Sequence, residues 1–389
     1  MRDPFFLPPI PALSEAVKPW AERYGMTALP LHVHEVLAAA LFYTFIHLVV
    51  SPLVSTWLFP KYYPKDSRGR KANWDSHVVS LVQSVLINAL ALWCMFVDDE
   101  RNAMDWEQRI WGYTGASGFV QSLAAGYFVW DLGITIAYLD VFGLGLLAHA
   151  SSALAVYSFG YVRFYFIFFL LFSSFLLGWL AGWLPRPWAQ LSDASQRPFL
   201  NYYASTFILY ELSTPFLNVH WFCDKLDLTG SKIQLYNGLT LLATFFGCRL
   251  VWGTWQSGRV YVDMYHAVYS SPDAGYLAAA HGNATTFRDP DYNIMAFAAD
   301  AKPIPVWLAG TYVASNIVLN GLNWHWFFKM IAAVKKRFEP SKEADGDAKG
   351  TSGESTGAAK DKAPGLRRRG HSIQDVVPDS DDLRDGTIQ

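Results

Sequence analysis

The chain has 389 residues and a formal net charge of −2, and 52% of it is hydrophobic against only 16% charged. A soluble domain carries about 25% charge, so the composition argues against a soluble globular protein, and the near-neutral balance gives no footing for nucleic acid. Three cysteines, Cys94, Cys223 and Cys248, are scattered through apolar stretches and make no disulfide framework.

A spanning helix needs about 20 mostly apolar residues. The N-terminal segment, 1–33, is short of that and carries no signal-peptide core, so the first spanning helix is expected to act as the targeting signal. Apolar runs of spanning length then fall near 34–58, 77–97, 117–139, 142–160, 161–184, 200–222, 233–256 and 304–328. The fold expected is all-α, a polytopic transmembrane bundle of about seven helices, or eight if 161–184 is one of them. Between the runs, 60–76 reads as a basic loop, 98–116 as an acidic polar loop and 258–303 as a longer polar loop with turn signals. The spanning region is bounded at 34–330, and 331–389 is read as a disordered tail too poor in apolar residues to fold.

Orientation follows the excess of Lys and Arg on cytoplasmic loops. Lys61, Lys65, Arg68, Arg70 and Lys71 lie in one loop, and Lys329, Lys335, Lys336 and Arg337 flank the tail. Placing both in the cytoplasm requires a lumenal N-terminus and seven crossings, which is met when 161–184 is left out. The sequon Asn283-Ala284-Thr285 then falls in a lumenal loop, the only side on which it can be used.

The informative residues are ionisable groups inside apolar runs. Asp131, His149, Glu211 and Arg249 lie on four successive predicted helices, excluding 161–184, each near mid-depth. A central Asp or Arg costs about 2.5–3.5 kcal/mol on insertion scales, so such groups are expected to face one another or a wet cavity. Glu211 and Arg249 are expected to pair, either as a functional couple or as a device that only fixes helix packing. His149 with Asp131 is a candidate proton-handling pair, with a hydrogen-bonded core histidine as the structural alternative. No HExxH zinc site, histidine-rich box or Gly-rich phosphate loop occurs, and His32 with His34 at a helix start is too small a set, so no metal and no cofactor are expected.

Six stretches occur in order between about 74 and 330: WDSHVVSL at 74–81, GYFVWD at 126–131, Asp140 followed by His149, ELSTPFLNVHW at 211–221, Asn237-Gly238 with Phe245-Phe246 and Arg249, and NWHWFFKM at 323–330. In these the chain resembles the TLC-domain family, the superfamily of ceramide synthases and translocating-chain-associated membrane proteins, and looks closest to its fungal-type branch. The resemblance implies a bundle of about seven helices in the endoplasmic reticulum membrane and a role in lipid homeostasis, through lipid binding, transport or sensing. It adds His77 and Asn218 to Glu211 and Arg249 as polar residues of a lipid cavity or of the packing. The partners implied are membrane lipids. In the enzymatic alternative, acyl transfer resembling ceramide synthase, His149 would act as general base on an acyl-CoA, with Asp131 or Asp140 as its partner. Ceramide synthases carry two adjacent histidines where this chain has Ala148-His149, so one residue of that chemistry has no counterpart. The segment 161–196 also departs from the family pattern and reads as an insertion or a retained intron, with a true extra helix as the alternative. A receptor or channel is disfavoured by the family motifs and by the lack of a lysine in the apolar cores.

Overall fold

The computed structural model describes residues 1–23, 26, 28–158, 200–270, 293–298, 304 and 306–338, and they are helical with no strand among them. The expected insertion at 161–196, the sequon and the tail from 339 lie outside the described residues.

Helix α1 is Pro11–Arg23. Helix α2 runs Leu29–Leu58 with a π-helical stretch, Ile46–Val50, inside it. Helix α3 is Arg68–Val97, α4 is Asp99–Asn102, α5 is Trp106–Trp111, α6 is Gly115–Ala137 and α7 is Leu139–Ser158. Helix α8 comprises Asn201–Phe207, a 3-10 stretch Ile208–Ser213, and Thr214–Lys225. Helix α9 comprises Lys232–Phe245, a π-helical stretch Phe246–Trp252, and Gly253–Tyr269. Helix α10 is Val306–Phe338. Among the described residues, Leu29–Leu58, Arg68–Val97 and the α5–α6 stretch Trp106–Ala137 are each long and apolar enough to cross a membrane.

The sequence explains several starts. Ser67 caps α3 by accepting the Arg70 N–H, Asp98 caps α4, Thr114 caps α6, and Asp105 with Gln108 forms a capping box on α5. Three expected loops are corrected. Helix α3 begins at Arg68 inside the 60–76 loop, α4 and α5 occupy much of 98–116, and α9 continues to Tyr269 past the expected break at 258. Two boundaries also move: α2 starts at Leu29 rather than 34, and α10 runs to Phe338 beyond 330.

The long helices alternate in direction. Cys94 near the end of α3 meets Ser117 at the start of α6, and Trp74 near the start of α3 packs on Trp221 near the end of α8. Leu154 of α7 packs in the cluster of Ile87, Phe119 and Val120, while Leu200 N–H, just before α8, donates to Ile110 O. The helix ends that bracket 159–199 therefore lie at the same end of the bundle. The basic residues of 60–76 and of the last turns of α10 share the opposite end.

Close contacts set the spacing. A Cβ at Gly126 of α6 would sit 2.5 Å from Val36 O and 2.6 Å from Ala39 Cβ of α2, so only glycine lets these helices meet. At the basic end, Ser51 donates to buried Asp75 at 2.6 Å, Tyr63 OH donates to the same carboxylate, and Trp74 Nε1 donates to Ser55 Oγ at 2.9 Å. The Trp74-Asp75 pair of the WDSH motif thus ties α2 to α3.

Candidate functional site

Pro215 shapes the middle of α8. It has no N–H to give the Glu211 carbonyl, which accepts instead from Thr214 N–H three residues on, and Ile208–Ser213 tightens to a 3-10 stretch. The π-helical stretch holding Arg249 lies against it, with Tyr210 filling the space over Gly253, where a Cβ would come within 2.6 Å of the ring. Such irregular turns recur at functional sites, and here they carry the acid and the base of the bundle's centre.

Arg249 Nε donates to Tyr210 O at 2.9 Å, its Nη2 lies 4.0 Å from Glu211 Oε1, and its guanidinium stands 5.0 Å from the Phe245 ring centre. Glu211 accepts from Thr214 Oγ1 at 2.7 Å. The pair exists, but at the outer limit of an ion pair. The two side chains keep 23% and 27% of their accessible surface, so the space beside them is open.

About two turns toward the basic end from Glu211, Asn218 is buried and accepts from His77 Nδ1–H at 2.8 Å. Its amide donates to Ser80 Oγ at 3.0 Å and to Thr214 O at 3.1 Å. His77 stacks on Trp221 at 3.9 Å with planes 19° apart, which fixes the ring. The Tyr127 hydroxyl lies beside Ser80, with the Asp131 and Glu211 carboxylates near it. The result is a polar seam through apolar helices: His77 and Ser80 on α3, Tyr127 and Asp131 on α6, Glu211, Thr214 and Asn218 on α8, and Arg249 on α9.

Five residues singled out in the sequence, His77, Asp131, Glu211, Asn218 and Arg249, therefore meet along one seam. Asp140 does not; it is exposed on the first turn of α7. His149 lies on α7, but its side chain is outside the described residues. Sequence reasoning missed Ser80, Tyr127 and Thr214, whose hydroxyls link the seam. Pro215 was the local sign that α8 would deform there.

A second polar cluster joins the N-terminal segment to the bundle. His32 Nδ1 is 2.8 Å from Glu35 Oε2 and 3.6 Å from Asp3 Oδ2, while the Tyr113 hydroxyl is 2.7 Å from His32 Nε2. Burial, with the Glu35 carboxyl bonded beside it, pushes the Asp3 carboxyl up to about 7. A third cluster joins α5, α8 and α9. Arg109 donates to Asp263 through Nε at 2.6 Å and Nη2 at 2.7 Å, and Tyr203 OH donates to the same carboxylate at 2.5 Å.

The profile of the TLC domain matches residues 73–176 and 192–332. An uncharacterized TLC domain-containing protein of Schizosaccharomyces pombe is 34% identical over 333 residues, covering 86% of this chain and 89% of that protein. Topoisomerase I damage affected protein 4 of Saccharomyces cerevisiae is 26% identical over 318 residues, with 80% and 87% covered. TLC domain-containing protein 4 of Homo sapiens is 26% identical over 283 residues, with 71% and 81% covered. No solved structure matches the chain.

Proposed function

This chain belongs to the TLC-domain family, and from that premise we propose that it is a multi-pass protein of the endoplasmic reticulum membrane that binds lipid headgroups at its polar seam and serves lipid homeostasis. One observation carries the reading. Glu211 and Arg249 sit near the middle of their helices yet keep about a quarter of their side-chain surface accessible. Ionisable groups at that depth are costly against acyl chains, which favours reading the open side as a polar crevice. A crevice with a carboxylate, a guanidinium, an imidazole and hydroxyls suits a headgroup that both donates and accepts hydrogen bonds.

The test is lipid that co-purifies with the detergent-solubilised chain, quantified by mass spectrometry. Asn218→Leu removes the residue that bridges His77, Ser80 and the α8 backbone. Losing a buried hydrogen-bond partner costs about 1–3 kcal/mol, so bound lipid is expected to fall about tenfold while a substantial folded fraction remains. Unchanged lipid in a well-folded Asn218→Leu protein would set the reading aside.

The orientation is tested separately. The basic end is assigned to the cytoplasm because it holds both clusters of Lys and Arg. An epitope after Gln389 is expected to be digested by protease added to sealed microsomes. Protection of that epitope would reverse the assignment.

A further inference from the structure

We propose that Asp3, His32 and Glu35 form a site for a divalent transition-metal cation, zinc or manganese, that fastens the N-terminal segment to α2. All three ligands precede residue 73, where the TLC-domain match begins, while Tyr113 behind His32 lies within it.

The donor set comes first. One imidazole nitrogen and two carboxylate oxygens are common ligands of zinc and manganese. The three donor atoms lie within 4.8 Å of one another. A cation held at about 2.0–2.2 Å by each ligand puts its ligands about 3.3–3.5 Å apart. The observed His32 Nδ1 separations of 2.8 Å from Glu35 and 3.6 Å from Asp3 bracket that value. Small side-chain rotations would open the cluster to accept an ion.

The surroundings are those of a built site. His32 and Glu35 side chains are fully buried and Asp3 is 8% accessible. The far nitrogen of His32 is held by Tyr113, the outer contact that orients a ligating histidine. On loading, the ring proton moves to Nε2 and Nε2–H donates to the Tyr113 oxygen. His34 Nε2 is held by the Leu7 carbonyl at 3.1 Å and stands 3.8 Å from the second oxygen of Glu35. Glycine at 118 makes room for that outer contact: a Cβ there would collide with the Tyr113 hydroxyl and lie 2.9 Å from His32 Nε2. Two carboxyls in contact away from water repel once ionised, and a dication between them balances both charges.

The experiment uses the full chain, purified in detergent through an affinity tag that binds no metal and dialysed against metal-free buffer. Zinc, manganese and iron are counted by elemental mass spectrometry. The wild type is expected to hold about one zinc or manganese ion per chain, and Asp3→Asn and Glu35→Gln to hold at least about tenfold less. Tyr113→Phe, which keeps all three ligands, is expected to weaken affinity about 10–100-fold in competition with a chromophoric chelator. A wild-type chain without either metal, whose melting temperature ignores chelator, zinc and manganese alike, would overturn the proposal. So would equal metal in wild type and Asp3→Asn. Should the variants fail to fold, the wild-type titration alone decides.

Discussion

Asp263→Asn is expected to destabilise the folded protein by about 3–5 kcal/mol, the range for breaking one side of a buried ion pair. Asp263 accepts two parallel bonds from Arg109 and a third from Tyr203, and the Arg109 and Asp263 side chains are only 13% and 3% accessible. The carboxylate thus holds the short helix α5 and the first turn of α8 to the end of α9. Asparagine keeps the shape and one acceptor but leaves the guanidinium without its counter-charge, held only by that amide oxygen and Met104 O. Arg109→Met should cost a similar amount by stranding the carboxylate. The double change, Arg109→Met with Asp263→Asn, should recover part of the loss, because it leaves neither a guanidinium nor a carboxylate buried without its partner. Melting temperature in detergent and cellular abundance of the four proteins measure this. A double variant no better than the sum of the singles would show the two residues to be uncoupled.

Changes at Glu211 and Arg249 are expected to be smaller and unequal. Their 4.0 Å separation and partial accessibility reduce the coupling below that of a sealed pair. Arg249→Met should be the worse, at about 2–3 kcal/mol. It removes the Nε donor to the Tyr210 carbonyl and leaves Glu211, with the Asp131 carboxylate nearby, without a cation to offset their mutual repulsion. Glu211→Gln still accepts from Thr214 and removes that repulsion, so it should cost about 1 kcal/mol. The double change should be milder than Arg249→Met alone. The reverse order, with Glu211→Gln the more damaging, would mean that the carboxylate's charge, not the guanidinium's, holds the centre together.

The helical fold and the spans at Leu29–Leu58, Arg68–Val97 and Trp106–Ala137 were legible because apolar runs of the required length are hard to mistake. The seam was legible for a different reason. Polar residues inside such runs are expected to find partners among themselves, and the structure pairs His77 with Asn218 and Glu211 with Arg249. What failed was geometry that no local pattern encodes. Arg109 and Asp263 are 154 positions apart, and Asp263 sat in a stretch read as a loop because its helix turns polar where it leaves the apolar zone. The N-terminal cluster was passed over when His32 was compared with His34, two positions away and on a different face of the helix. The useful spacing was His32 to Glu35, three apart on one face, one turn into α2. Even that would not have revealed Asp3 and Tyr113, which only the folded chain brings alongside. The irregular turns lay between these cases: Pro215 announces the 3-10 stretch, while nothing in residues 246–252 announces a π-helical one.

The central claim is that the seam beside Glu211 and Arg249 holds a lipid headgroup. The direct measurement is photo-crosslinking of the reconstituted chain, in nanodiscs, with phospholipids carrying a diazirine on the headgroup, followed by peptide mapping. The expected result is adducts concentrated on residues lining the seam, Tyr127, Glu211 and their neighbours on α6 and α8, and lost in Asn218→Leu. Adducts confined to the helix ends at the two membrane surfaces, with none at the depth of Glu211, would contradict it.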